Sequence, residues 1–225
     1  MTHSDDIGLI LPPKVAPIQI VVVPVVRKSD DEWKDKIESE AFRITDLLKK
    51  SGYRVHLDGR VQIKPGNRYF EWERKGVPLR IELGRKELEN GKLCFKARNE
   101  SERAFSDATL STSELSSLVQ SKLSNIHNTL HDAAERRVQS LCWQPESYEE
   151  VVQHVKDDDE RTENTQFGFI EVPWFDDESN EANIKEETKL TLRCFPFGKQ
   201  HHAKGRTCFY SKQPATNIAI FARSY

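Results

Sequence analysis

The sequence predicts an α/β protein: a three-layer domain with a mixed sheet over residues 18–156, an acidic connector over 157–166, and a smaller α+β unit over 167–225. Three observations carry this expectation. A continuous β-branched run from Ile18 to Val26 reads as a strand covered on both faces, as parallel sheets require. Amphipathic helical patterns then alternate with further strand patterns up to about residue 143. After Val155 the acidic string DDDERTEN interrupts the periodicity and reads as a solvated connector.

The elements follow in order. Residues 1–17 hold Pro12, Pro13 and Pro17, which fix φ and favour extended neighbours, so this stretch reads as a linker or the end of a larger domain. A helix is expected next: Ser29 and Glu32 have capping-box spacing, Trp33, Ile37, Ala41, Ile44 and Leu48 recur at helical steps, and Gly52 sits where a C′ residue belongs. A short strand covers Tyr53 to Leu57, and a second helix runs from Pro65 to Lys75 with Gly76 after its end. In the next strand Val77, Leu79, Ile81 and Leu83 alternate with Arg80 and Glu82, giving it one charged side. Gly84 to Gly91 is expected to turn the chain, and Leu93 to Arg98 to return as a strand. A long helix then starts at the capping box Ser111/Glu114, with an apolar stripe from Leu115 to Leu141 predicted to pack on the sheet for about seven turns. In the second unit strands are expected at Phe169 to Val172, Leu190 to Phe195, Thr207 to Tyr210 and Asn217 to Phe221, with a helix over Asn180 to Glu187.

Composition bounds the function. The longest apolar run has nine residues and includes Gln19 and Pro24, too short for a bilayer span of about 20 residues. Asp5 and Asp6 stand where a secretory signal needs a basic segment, so a cytoplasmic location is expected, with an organelle matrix as the alternative. Cys94, Cys142, Cys194 and Cys208 form no CxxC pair and read as reduced thiols. The net charge of −2 hides a division: residues 157–189 hold twelve acids and three bases, whereas 190–225 hold six bases and no acid. Residues 60–103 hold twelve bases and seven acids among several aromatics, a patch compatible with a polyanionic partner.

Two long strings, HSDDIGLILPPKVAPIQIVVVP and YFEWERKGVPLRIELG, together with the ending AIFARSY, resemble the C-terminal part of prolyl-tRNA synthetase of the archaeal and eukaryotic type. The resemblance runs from His3 to Tyr225 and implies an anticodon-binding domain over 18–156 followed by the family's C-terminal domain. It also implies a role: recognition of the tRNA(Pro) anticodon within a class II proline–tRNA ligase. The first string resembles the third signature motif of the catalytic domain, with Lys14 where an arginine normally contacts ATP phosphate. The chain has no room for the other two signature motifs, so ATP and magnesium are expected to act in the full-length enzyme and none in this fragment, which is expected to be inactive alone. The implied partners are the anticodon loop and the enzyme's own catalytic domain, with a homodimeric full-length enzyme and a monomeric fragment.

Reading splayed bases needs a stacking surface, base-edge partners and cations for phosphate. By resemblance, Tyr69 stacks on a base, Glu73 accepts from the ring N–H and amino group of a guanine, and Arg80, on the outward side of its strand, donates to base or phosphate. Glu87 likewise suits a guanine edge, and Lys86, Arg98 and Arg103 face the RNA backbone, although Arg85 replaces the usual proline in this turn. The tRNAs for proline share two anticodon guanines, which two carboxylates beside an aromatic fit chemically. Without the resemblance, Glu73 and Arg80 read as an exposed ion pair of little energetic weight and Trp72 as core packing. Many relatives bind zinc in the C-terminal domain through paired cysteines; here Cys194, His201, His202 and Cys208 offer donors at no known spacing, and a zinc-free unit is expected. The competing reading is a freestanding RNA-binding or regulatory module. A flavodoxin-like enzyme is disfavoured because no phosphate-binding glycine motif follows any strand.

Overall fold

The computed structural model describes residues 3–27, 31–107, 111–160 and 167–223. Ser29 lies outside them, so the first expected capping box has no structural counterpart to compare. The chain forms two compact units, Met1–Asp132 and Ala133–Tyr225. No helix among the described residues is long and apolar enough to cross a membrane.

The first unit opens with a small hairpin, β1 (Ser4–Asp5) and β2 (Gly8–Leu9), in the stretch that the sequence reads as a linker or the end of a larger domain. Then come β3 (Ile20–Val25), α1 (Asp31–Lys50), β4 (Val55–Leu57), α2 (Pro65–Arg74), β5 (Leu79–Gly84), α3 (Arg85–Glu89), β6 (Lys92–Ala97), β7 (Ala104–Asp107) and α4 (Thr112–Leu141). The sheet order is β4-β3-β5-β6-β7, parallel across the first three strands and antiparallel across the last three, hence mixed.

Alternation along the strands sorts their residues into two layers of contact. Ile20 and Val22, Leu79, Ile81 and Leu83, and Leu93 and Phe95 pack against Ala41, Ile44 and Leu48 of α1 and Leu115, Val119, Leu123 and Ile126 of α4. Val21 and Val23 point the other way, into a smaller cluster with Trp72 of α2 and Val77. That is why β3 is apolar at every position from Ile20 to Val25: it is central and covered on both faces.

Local signals explain the helix ends. Gly52 has φ +88°, and the Tyr53 amide donates back to the Leu48 carbonyl at 3.1 Å, closing α1 in a Schellman-type turn. Gly76 does the same for α2, with φ +72° and a 3.1 Å bond from the Val77 amide to the Trp72 carbonyl. It also carries a steric demand, since a Cβ there would sit 2.6 Å from Leu9 Cβ of the N-terminal hairpin. At α4 the Ser111/Glu114 box forms as expected: the Ser111 amide donates to the Glu114 carboxylate at 2.8 Å and the Glu114 amide to Ser111 Oγ at 3.3 Å. The apolar stripe of α4 packs for only its first half, and Val138 is 54% exposed.

Three expectations in this unit need correction. Gly84 to Gly91 contains the short helix α3, because Glu87 folds back to accept from the Gly84 amide at 3.0 Å. The strand β7 was not foreseen. Arg80 does lie on the charged side of β5, but α2 covers that side, so Arg80 and Glu82 are buried and not exposed.

The second unit contains β8 (Cys142–Trp143), α5 (Tyr148–Glu160), β9 (Phe169–Trp174), α6 (Glu178–Thr188), β10 (Leu190–Cys194), a 3₁₀ helix (Phe197–Ala203) and β11 (Asn217–Arg223). Its sheet runs β10-β11-β9-β8, antiparallel except between β8 and β9. The core joins Val151 and Val155 of α5 to Trp174, Ile184, Cys208, Phe209 and Phe221. Asp177 caps α6 by accepting from the Asn180 amide at 3.0 Å.

This core departs from the expected boundary. The sequence places residues 18–156 in the first domain and 157–166 in a connector, yet the first unit ends at Asp132, and α5 continues to Glu160 and buries its two valines in the second unit. Its acidic end is held by Arg223, which contacts Asp158 at 3.0 Å and Asp159 at 2.8 Å. Residues 161–166 and Tyr225 lie outside the described residues. The expected strand over Thr207 to Tyr210 reduces to a single bridge between Thr207 and Pro214, the segment being a turn that drops Cys208 and Phe209 into the core.

Candidate nucleic-acid interface

Helical spacing places Tyr69 and Glu73 one turn apart on the side of α2 that faces β5, while Trp72 turns into the core. The helix is anchored from beneath. Arg68, fully buried, donates to the carbonyls of Asp58 at 3.1 Å and Pro24 at 2.8 Å, and its burial pulls the guanidinium pKa down. Trp72 Nε1 donates to Asp58 Oδ2 at 2.7 Å. Burial pushes the Asp58 carboxyl up, but the double contact from Arg60 and the Trp72 N–H outweigh it and hold the group at about 2.

Above this anchor lies a network of five residues. Arg80 donates from Nη1 to Glu73 Oε1 at 2.8 Å and from Nε to Glu82 Oε1 at 2.9 Å, and its guanidinium stacks 4.1 Å from the Tyr69 ring centroid. Arg103 reaches the other oxygen of Glu82 at 3.2 Å. Burial, then the nearby Glu82 charge, pushes the Tyr69 hydroxyl pKa up, so the phenol is a neutral donor at physiological pH. Two carboxylates and two guanidiniums thus balance in a site where Arg80 and Glu82 are each more than nine-tenths buried.

Two open clefts flank this network and share Tyr69 and Arg103. One, of about 510 Å³, is lined by Tyr69, Phe70, Glu73, Lys96, Arg103 and Phe105 among others. The second, of about 570 Å³, is lined by Arg27, Tyr69, Glu82, Lys86, Glu87 and Arg103 among others. The second opens at the carboxyl ends of the parallel strands β3 and β5, beside Val25 and Gly84.

Six of the seven candidate RNA-contacting residues gather here: Tyr69, Glu73, Arg80, Lys86, Glu87 and Arg103. Two placements differ from expectation. Arg98 does not face outward: its side chain is 5% exposed, donates to both Asp5 oxygens at 2.9 and 2.5 Å, and bonds the Glu73 carbonyl at 2.9 Å. That contact holds the Asp5 carboxyl at about 2 and pins the N-terminal hairpin to the end of α2. Arg80 is a buried support between two carboxylates, and it covers one face of the Tyr69 ring. Lys14 is exposed in the segment before β3, its carbonyl accepting from Arg54 Nη2 at 3.1 Å. Sequence reasoning missed Phe70, Glu82, Lys96 and Phe105. For Glu82 the signal was present, since alternation put it beside Arg80.

The donors considered for zinc do not converge. Cys208 is fully buried in the apolar core, whereas Cys194, His201 and His202 are exposed. Among the described residues, no group of three or more donors close enough to share a metal includes any of these four. The residues present therefore do not fit the family's zinc site.

Residues 19–122 match the family model of an anticodon binding domain, and residues 158–225 match that of the prolyl-tRNA synthetase C-terminal domain. The chloroplastic/mitochondrial proline–tRNA ligase of Arabidopsis thaliana is 35% identical over the whole chain, which covers 39% of that protein, and the proline–tRNA ligase of Amoebophilus asiaticus is 34% identical with 43% covered. The chain thus spans about two fifths of these relatives' length. Among solved structures, Giardia lamblia prolyl-tRNA synthetase in complex with prolyl-adenylate superposes with a TM-score of 0.84 at 25% identity, all of this chain matching 46% of that one. The Cryptosporidium parvum enzyme complexed with L-proline and AMP gives 0.81 at 32% identity, with 44% of that chain covered. The chain belongs to the prolyl-tRNA synthetase family, its first unit carrying the anticodon-binding domain and its second the C-terminal domain.

Proposed function

We propose that this chain reads the anticodon of tRNA(Pro) for a ligase that attaches proline to that tRNA. The observation that carries the reading is the pair of clefts that share Tyr69 and Arg103 around the Glu73–Arg80–Glu82 network. Glu73 spends one oxygen on Arg80 and keeps the other for a guanine edge, where it accepts from the ring N–H and the amino group. Glu87 serves the second guanine from the neighbouring cleft, its Oε2 also closing the Gly84 turn. Tyr69 offers the ring face that Arg80 leaves open, and the exposed Lys86 and Arg103 meet phosphate. Arg98 acts indirectly, by fixing the carbonyl end of the α2 turn that carries Glu73.

In the full-length enzyme, ATP and magnesium supply adenylate chemistry in a catalytic domain beyond these residues, and Lys14 lends charge toward ATP phosphate. The chain alone does not aminoacylate. The full-length enzyme is a cytoplasmic or organellar homodimer through its catalytic domain, and the chain by itself is a monomer.

Fluorescence anisotropy with anticodon stem-loops tests the reading. The loop carrying the two guanines is expected to bind at least tenfold more tightly than one with both replaced. The salt dependence falls by about 0.7 in log–log slope for each of Lys86→Ala and Arg103→Ala, as loss of one single-strand phosphate contact requires. Equal affinity for both loops would instead mark a generic RNA-binding module.

A further inference from the structure

The first cleft, of about 510 Å³, holds two aromatic rings that the anticodon reading leaves unused. Phe70 and Phe105 are 56% and 58% exposed, although water-exposed phenyl rings of this size are costly to display. Their placement follows from the fold. Phe105 pairs with Cys94 in the β6–β7 ladder and Cys94 with Glu82 in the β5–β6 ladder, so alternation puts Phe105 on the sheet face that carries Arg80 and Glu82. Its neighbour Ala104 pairs with Phe95 and faces the core. Phe70 stands next to Tyr69 on α2, one turn after Gly66, where even a Cβ would meet nothing within 4 Å, so the cleft is open along that turn. Neither ring takes part in a ring or cation contact among the described residues.

The surroundings say what such rings would take. Lys96, donating to the Glu100 carbonyl, and Arg103 line the same cleft. Apolar ring faces beside fixed cations, with no side-chain donor or acceptor on the rings themselves, suit a nucleobase on a phosphate backbone, bound by stacking and without regard to which base it is. We propose that Phe70 and Phe105 form a base-stacking subsite for a loop nucleotide flanking the two guanines. The proposal rests on the anticodon reading for its ligand. The subsite adds affinity, while Glu73 and Glu87 supply the discrimination.

The test uses the 225-residue chain and a stem-loop with 2-aminopurine beside the guanine pair, on either side in separate RNAs. Binding is expected to quench 2-aminopurine in one of them. Phe70→Ala and Phe105→Ala each remove quenching and weaken binding about tenfold, while the preference for guanines persists. Phe105→Trp restores both signals. An abasic site at the quenched position lowers wild-type affinity to that of the alanine variants and lowers theirs no further.

Unchanged affinity and quenching in the double variant Phe70→Ala/Phe105→Ala would overturn the proposal. So would an equal loss against abasic and intact loops, since the rings would then act through packing or toward a protein partner. A wild-type chain that quenches yet binds guanine-free loops equally well supports the stacking pair and removes the anticodon reading, so the two failures are distinguishable.

Discussion

Arg80→Ala is expected to cost the first unit about 3–5 kcal/mol, read as a lower urea midpoint, and to abolish the preference for guanines at the same time. Arg80 is 5% exposed and is the donor to both Glu73 and Glu82. Truncating it strands Glu82, itself 6% exposed, with Arg103 at 3.2 Å and the Tyr69 hydroxyl as its remaining side-chain partners among the described residues. An uncompensated buried carboxylate is the expensive outcome, more than the loss of two hydrogen bonds. The control follows from the same reasoning: Arg80→Met combined with Glu82→Met removes both charges and fills the volume, and recovers most of the stability but none of the base preference. A wild-type urea midpoint for Arg80→Ala would mean that the network is solvated and that α2 does not seal it.

Trp174→Ala is expected to destabilise the second unit by about 3–5 kcal/mol. Trp174 is 1% exposed at the end of β9, and its ring lies 5.2 Å from Phe221 and 6.1 Å from Phe209. Those rings pack with Val151 and Val155 from α5, Ile184 from α6 and the buried Cys208 in the apolar centre of the unit. Among the described residues no metal donors converge with Cys208 in this core, so the loss of one indole leaves a cavity that packing alone must absorb. Near-ultraviolet circular dichroism with thermal melting checks this: the variant should lose its aromatic signal at a lower temperature, and a chelator should leave the wild-type transition where it was. A chelator-induced drop in the wild-type midpoint would contradict the packing account.

What the sequence made legible follows from how local each signal is. The apolar run of β3, the stripe of α1, the proline and glycine bracketing α2 and the box at Ser111 depend on neighbours within one or two turns, and each element appears where these signals put it. Alternation in β5 correctly set Arg80 and Glu82 on one side, but periodicity assigns a face without saying what covers it, and α2 covers this one. The remaining misses are contacts between distant positions. Arg98 seemed free for RNA because Asp5, its partner, is 93 residues away. The acidic end of α5 looked like a connector because its counter-charge, Arg223, comes from the last strand. Phe105 was overlooked because β7 is four residues long, too short to announce itself by pattern.

Among the site residues, the aromatic, the carboxylates and the cations around 69–103 were identifiable as types suited to RNA. Their division into supports and contacts was not. The side chains of Arg80, Glu82 and Arg98 are buried, and in the proposed function ligand contact falls to Tyr69, Glu73, Glu87, Lys86, Arg103 and the exposed rings of Phe70 and Phe105.

The most direct test is the affinity of wild-type chain and Glu73→Ala for the guanine-pair stem-loop and for loops in which each guanine is replaced by inosine, which lacks only the 2-amino group. Base-edge recognition by the carboxylates predicts that wild type loses about five- to a hundredfold on inosine substitution. It further predicts that Glu73→Ala has already lost that factor and becomes indifferent to inosine at one of the two positions. If wild type binds inosine and guanine loops alike, or if Glu73→Ala still discriminates at both positions, the carboxylates do not read guanine edges and the anticodon assignment fails.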